Sequence, residues 1–332
     1  MNNPDHQDGF LPAAKLQLPL HSVNVTDAKA GSAYSVSGLQ LWQWRREAWQ
    51  QAIAAAVPVT EIDWLLQELA GLDRLALRLE SFKDQPQIQL RIPLSELNQL
   101  WQQRVQARVP VQYLTGVAPW RHFLLTVSPA VLIPRPETEC LIDLAIAAVS
   151  GRDEVPTLEQ GHWADLGTGS GAIALGLAVA FPTASVHAVD ISAAALKVAQ
   201  QNAQHLGLAD RIQFYQGSWL QPLDFLKRQL SGLVANPPYI PNSLVPELQP
   251  EVALHEPQLA LDGGPDGLDC IRHLVAVAPA YLRPGGLWLI EMMAGQADAV
   301  VELLQQQGNY CQIQVHPDLA GIERFVLAYL AD

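Results

Sequence analysis

Apolar positions change their spacing along the chain, and each change marks a different kind of structure. From Leu39 to about Arg108 they recur every three or four residues, as in LWQWRREAWQQAIAAA and TEIDWLLQELAGL, the spacing of helices with one buried face. Thr60, followed by Glu61 and Asp63, reads as a helix start with a capping hydroxyl and an acidic first turn. Pro93-Leu94-Ser95 opens another helix through Trp101 and Val105. In residues 110–135 the helical spacing stops. FLLTVSPAVLIPRP is rich in β-formers and broken by prolines, which suits a hairpin or an extended connector. A helix follows from about Glu137 to Val149. From His162 the rhythm becomes strand and helix in alternation: WADLG, SVHAVD, RIQFYQ, GLVAN and LWLIE are short apolar runs separated by helical stretches. That alternation predicts a parallel sheet covered on both faces. NYCQIQVH and RFVLAYL leave no room for a helix between them and predict an antiparallel hairpin at the end of the sheet.

Residues 1–37 mix Asn, Asp, Gly, Ser and Pro without periodicity and are expected to form a poorly ordered extension. The expected organisation is therefore an extension (1–37), a small helical domain (38–109), a connector (110–135) and an α/β domain (136–332).

Composition narrows the function classes. The 332 residues are 49% apolar, enough for one large core or two smaller ones, and carry 33 acidic against 20 basic side chains, a net charge of -13. Such a chain gains little from counterion release, which disfavours a free-standing DNA or RNA binder. No Lys/Arg-rich stretch offers a local exception. Cys140, Cys270 and Cys311 are far apart and form no CxxC or Cys/His pairing, so neither a disulfide framework nor a metal site is expected. The polar, acidic N-terminus does not resemble a signal peptide. The longest apolar run, around Leu141 to Val149, is half the ~18–20 residues of a membrane span. A soluble, cytoplasmic protein is the expectation.

The candidate chemistry begins at DLGTGSGAIAL, where an apolar strand ends in Gly167, Gly169 and Gly171 before a helix. Glycines let a ligand approach the backbone, and the helix start offers unpaired N–H groups. The spacing is G-x-G-x-G, not the G-x-G-x-x-G of dinucleotide binders, which argues against a pyrophosphate; a plain tight connection would also fit. Asp190 follows Gly171 by 19 residues and ends SVHAVD, so it should stand beside the glycine turn, where its carboxylate can accept hydrogen bonds from both ribose hydroxyls. A local role at the start of the next helix is the competing assignment. An adenosine without a pyrophosphate fits both clues, which points to S-adenosyl-L-methionine. Trp219, just past the third strand, can lie against adenine or pack in the core.

The run LVANPPYIPN then places Asn236 at the end of the fourth strand, followed by Pro237, Pro238 and Tyr239. Proline cannot continue a central strand, so the chain turns rigidly here. The side-chain carbonyl of Asn236 and the backbone carbonyl of Pro237 can accept hydrogen bonds from a substrate –NH2, and Tyr239 can pack on a planar group. An amide nitrogen is a poor nucleophile. Two fixed acceptors support the positive charge that develops on it and aim its lone pair at a methyl group.

NPPY after a DLGTGSG turn resembles the amino-methyltransferases, which include DNA adenine-N6 enzymes and the HemK/PrmC family of protein-glutamine N5 methyltransferases. VQYLTG (111–116), VLIPRPETE (131–139), the run from Glu256 to Asp269 with ALDGGPDGLD, and the closing DLAGIER (318–324) resemble the glutamine family, as does the helical N-terminal part. The resemblance covers residue 40 to the C-terminus. It implies a seven-stranded, Rossmann-like class I methyltransferase domain and, as substrate, the glutamine of the Gly-Gly-Gln motif in peptide-chain release factors. The charge and the absence of a long apolar run add the expectation of no direct nucleic-acid or membrane partner. Carried over by residue, Gly167, Thr168, Gly169, Ser170, Gly171, Asp190, Trp219 and Asn236 match the cofactor positions, and Asn236, Pro237, Pro238 and Tyr239 match the substrate clamp. A glutamine on a ribosomal protein and, more remotely, adenine in DNA are the alternative substrates. Glu291-Met292-Met293 departs from the family's Glu-Ile-Gly, and Ser218 stands where Asp is frequent. Arg135 and Glu137 suit either closure of the site or bridging between domains.

Overall fold

The computed structural model describes residues 34–150 and 158–332. Residues 1–33 of the expected N-terminal extension lie outside the described residues. Its last residues do not fit the expectation of poor order. Strand β1 (Tyr34–Val36) pairs antiparallel with β2 (Ile88–Leu90), and Ser37 caps α1 (Gly38–Ala54) through a reciprocal capping box with Gln40. Helices α2 (Thr60–Ala70), α3 (Arg74–Leu79), α4 (Leu94–Ala107) and α5 (Val111–Thr115) complete the N-terminal part. Thr60 is the first residue inside α2 and not its cap: Val59 holds the cap position without a side-chain bond, and the Pro58 carbonyl accepts the Glu61 amide. The helices bury Leu41, Ile62, Leu65, Leu97 and Trp101, as their three- and four-residue spacing requires, in a core that also takes in Val127 and Val131 of the connector and Ala195 and Val198 of the α/β part.

A hairpin of β3 (Val117–Trp120) and β4 (Phe123–Thr126) leads through a 3-10 turn at Glu137–Glu139 into α6 (Cys140–Ser150). Then come β5 (His162–Leu166), α7 (Ala172–Ala180), β6 (Ser185–Asp190), α8 (Ala193–His205), β7 (Ile212–Gln216) and β8 (Leu230–Ala235). After them follow α9 (Pro250–His255), α10 (Asp269–Val277), β9 (Leu282–Glu291), α11 (Ala297–Gln307), β10 (Tyr310–Pro317) and β11 (Glu323–Leu330). The seven-stranded sheet has the order β10-β11-β9-β8-β5-β6-β7. Strands β5 to β9 run parallel, and the closing hairpin adds β11 antiparallel to β9 with β10 at the edge.

Alternate residues of the strands feed two cores. Trp163, Val186, Val234 and Leu289 face α6, α7 and α8; Ala164, Leu166, Leu233, Trp288 and Ile290 face α10 and α11. Being buried on both sides, these strands read as continuous apolar runs. Strand order reverses between β5 and β8, and ligands of such sheets bind outside the carboxyl ends at that point.

The helical part is tied to the α/β part by a buried cation. Arg104 of α4, 2% exposed, pairs with Glu61 of α2 and, at 2.7 Å, with Glu251 of α9. Arg108 also reaches Glu251, at 2.7 Å. Among the described residues no helix is long and apolar enough to cross a membrane.

Candidate active site

At the reversal point, the residues that follow β5, β6 and β8 surround one cavity of about 310 Å³. Its wall includes Gly167, Thr168, Gly169, Ser170, Asp190, Trp219, Asn236 and Pro238. Val131, Pro134 and Arg135 of the connector close one side. Pairing of Leu166 with both Val189 and Ala235 explains the convergence, because the next residue on each strand falls in the same row at the sheet edge.

The glycine turn needs its glycines. Gly167, Gly169 and Gly171 have φ of 75°, 54° and 84°, in the left-handed region that side chains disfavour. Buried groups hold the turn from behind. The Gly167 and Thr168 amides donate to the Val189 carbonyl, and Asp165 Oδ2 accepts from Thr168 Oγ1 at 2.5 Å and from the Ala174 amide at 2.9 Å. Asn202 of α8, 1% exposed, donates to the Ser170 carbonyl at 2.9 Å and exchanges two bonds with the Thr126 backbone of β4. Asn202 carried no local signal in the sequence, since its partners lie 32 and 76 positions away.

Asp190 satisfies both of its candidate roles at once. Its Oδ2 accepts from the Gly169 amide at 2.8 Å and its Oδ1 from the Ser192 amide at 2.9 Å, while Ser192 itself caps α8. One lone pair of each oxygen is used by backbone, leaving the others for a ligand. Burial pushes the Asp190 carboxyl above its ordinary range, and burial pushes Asp165, directly behind the turn, up to about 7. Asp165 Oδ1 has no hydrogen-bond partner. The Asp190 carboxylate in the wall opposes a pyrophosphate and can accept from the hydroxyls of a ribose. S-adenosyl-L-methionine, a ribose and a sulfonium without phosphate, fits that donor set. Trp219, with φ at 51°, lies across the turn: a Cβ placed on Gly167 would be 3.7 Å from its ring. The tryptophan thus fronts the cavity, although it also packs against the core beneath.

Asn236 and Pro238 line the cavity, and Pro237 and Tyr239 adjoin them in the same turn. Asn236 Nδ2 donates to Thr138 Oγ1 at 3.1 Å, and Thr138 donates to Glu291 Oε2 at 2.7 Å. The Tyr239 hydroxyl donates to the other oxygen, Oε1, at 3.1 Å. Tyr239 is therefore anchored at its hydroxyl. Burial pushes Glu291 up to about 6 and the Tyr239 phenol well above its usual value. Thr138 and Glu291 were not among the residues that sequence reasoning assigned to the site. The available signal was position: Glu291 ends β9, and the Ala235–Ile290 pairing sets it beside Asn236.

The turn itself is braced by the DGGPDGLD stretch. Ile240 exchanges backbone bonds with Leu261 and Gly263, and Asn242 donates to Gly264. Gln296 Nε2 donates to the Tyr239 carbonyl at 3.1 Å. Gly267, at φ 78°, packs so tightly that a Cβ there would lie 2.2 Å from the Tyr239 carbonyl oxygen. Arg135, in the cavity wall, pairs with the buried Glu256 at 2.6 Å and so joins the connector to the segment after the turn.

Residues 159–312 match a family model described as "Methyltransferase domain". The chain is 52% identical over 293 residues to a Release factor glutamine methyltransferase of Synechocystis sp., covering 88% of this chain and 97% of that relative. It is 49% identical over 297 residues to the protein of the same name from Thermosynechococcus vestitus, covering 88% and 99%. Among solved structures, the hMettl16 catalytic domain in complex with the MAT2A 3'UTR hairpin 6 superposes with a TM-score of 0.50 at 15% identity, covering 70% of this chain and 80% of that one. That likeness concerns the fold alone.

Proposed function

The chain belongs to the release factor glutamine methyltransferase family, and from that premise we propose that it methylates the side-chain amide nitrogen (N5) of the Gly-Gly-Gln glutamine in peptide-chain release factors, using S-adenosyl-L-methionine. The observation that carries this reading is the meeting, in one cavity, of the glycine turn, Asp190 and Asn236 at the ends of adjacent strands.

When bound, S-adenosyl-L-methionine supplies an electrophilic methyl group on a sulfonium. Asp190 would accept hydrogen bonds from the ribose hydroxyls, Trp219 would cover the flat base, and the Gly167–Gly171 backbone would let the ligand sit close. Asn236 Oδ1 and the Pro237 carbonyl accept from the glutamine –NH2, holding its nitrogen in line with the methyl; Pro238 and Tyr239 complete the clamp. Methyl transfer would release the ligand as a neutral thioether, and the methylated amide would pass its proton to water. Catalysis comes from positioning and from support of the charge developing on nitrogen, with no strong base required. The helical part, residues 38–109, recognises the protein partner, and the reaction belongs in the cytoplasm.

The test is methyl transfer from labelled S-adenosyl-L-methionine to unmethylated release factor, beside a factor whose Gly-Gly-Gln glutamine is replaced, a ribosomal-protein fraction and unmethylated duplex DNA. Label on the intact factor alone, located at that glutamine by mass spectrometry, is the expected result. Label on DNA or on a ribosomal protein instead overturns the substrate. Asn236→Ala should retain cofactor binding and lose at least ~100-fold in turnover, as removal of one fixed polar group at a reacting centre does.

A further inference from the structure

An asparagine side chain has an accepting end and a donating end of nearly the same shape. The clamp just described works only when Asn236 turns its oxygen toward the substrate amide. Rotated by half a turn, it would present an –NH2 to an –NH2. The proline-stiffened backbone fixes where Asn236 stands but leaves its terminal torsion open, so something else must choose the orientation.

The three-residue chain behind Asn236 makes that choice. Glu291 is 2% exposed at the end of β9, and as a carboxylate it can only accept. Thr138, 4% exposed, has one hydroxyl proton and gives it to Glu291 Oε2 at 2.7 Å. The side of Thr138 Oγ1 that faces Asn236 therefore holds only lone pairs, and a donor must meet it. The donor is Asn236 Nδ2, at 3.1 Å, which points Oδ1 the other way. The second oxygen of Glu291 accepts from Tyr239 at 3.1 Å, so both ends of the clamp are referred to one buried carboxylate. We infer that Thr138 and Glu291 are positioning residues that set the amide orientation of Asn236, and with it the nucleophile's alignment; the inference rests on the glutamine-methylation reading above.

The direction of the chain depends on Glu291 having no proton. A protonated Glu291 can donate to Thr138, free the threonine proton to point at Asn236, and so favour the wrong amide orientation. The charged and titratable groups around Glu291 are Arg324 of β11 with its partner Asp318, Glu137 in the turn before α6, and Tyr239. Burial dominates their sum and raises the carboxyl to about 6, which puts the loss of direction on the acid side of neutrality.

Three variants test this. Thr138→Val keeps the shape and removes the hydroxyl; Thr138→Ser keeps the hydroxyl; Glu291→Gln keeps the shape and adds a donor. With release factor and labelled S-adenosyl-L-methionine, Thr138→Val and Glu291→Gln should each lose about 10- to 100-fold in kcat, on the scale of a misdirected polar group at a reacting centre. The cofactor Kd should stay within a few-fold of the parent's. Thr138→Ser should recover most of the loss. The parent's kcat should fall as pH drops through about 6, and Glu291→Gln should lack that limb. Hydrogen exchange of the Asn236 side-chain amide, followed by NMR without substrate, should be slow in the parent and faster in Thr138→Val. Thr138→Val within threefold of the parent in kcat, or Thr138→Ser as impaired as Thr138→Val, overturns the inference. So does equal amide exchange in parent and Thr138→Val. A parent that fails on release factor overturns the substrate reading instead, while the exchange experiment still judges the orientation.

Discussion

Gly267→Ala offers a direct measure of how much the rate depends on the rigidity of the Asn236 turn. The added Cβ would lie 2.2 Å from the Tyr239 carbonyl oxygen and 2.7 Å from Gln296 Nε2. Retreat to 3.0 Å, the shortest approach such atoms make, requires a shift of about 0.8 Å. The carbonyl that must move lies three residues past Asn236, in a segment whose prolines transmit displacement and do not absorb it. A misplacement of about 1 Å at a reacting centre costs on the order of 100-fold. The expected loss in kcat is therefore about 10- to 100-fold, or ~1.4–2.7 kcal/mol in the barrier. Cofactor affinity should stay within a few-fold, because Gly167 to Gly171 and Asp190 hang from other strands. Backbone strain at φ 78° adds about 1–2 kcal/mol of lost stability. Gly308→Ala is the control: its φ is 81°, yet nothing lies within 4 Å of the new Cβ, so it carries the strain without the collision. Single-turnover methyl transfer and thermal melting on both variants separate the two effects. If folded Gly267→Ala turned over within threefold of the parent, the turn would be more compliant than the packing implies, and positioning would not be its role.

Two further predictions concern stability. His187, buried in β6 beside His162 and Tyr215, is held down to about 4, mainly by burial and then by the neighbouring His162, so it stays neutral in the fold while the unfolded chain takes up a proton near 6.5. Its contribution is complete above pH 6.5 and is lost as pH falls toward 4, by a total on the order of 3 kcal/mol. Urea midpoints at pH 7.5 and 5 should diverge in the parent more than in His187→Gln; equal slopes would refute the assignment. Arg104→Ala leaves Glu61 without its buried cation and Glu251 with Arg108 alone, and should cost about 3 kcal/mol in chemical unfolding, whereas a loss below 1 kcal/mol would mean that water replaces the guanidinium easily.

The parts of the site that could be read from the chain share one property: each stands at the carboxyl end of a strand. The glycine turn and Asn236 follow β5 and β8, Asp190 is the last residue of β6, and a parallel sheet brings all such strand-end positions to one edge. Trp219 had two defensible assignments in the sequence, and only its placement over Gly167 puts it at the cavity. Thr60 looked like a cap because its residue type and acidic neighbours are right. The helix starts at Thr60 itself, beyond Val59, with the Pro58 carbonyl taking the Glu61 amide. Tyr239 offered the sequence only a ring for packing on a planar group; its hydroxyl anchor on Glu291 lies 52 positions away.

The sequence by itself determined most of the elements, the sheet class, and which residues are candidates for the cofactor and amide chemistry, because periodicity, turn chemistry and strand-end motifs act within a few residues. The tertiary structure decided what holds those groups in their working orientation. Thr138 meets Asn236 across 98 positions and Glu291 across 153, and Gly267 yields to a carbonyl that only folding brings near. Hydrogen-bond direction and close packing depend on distances that no local pattern encodes.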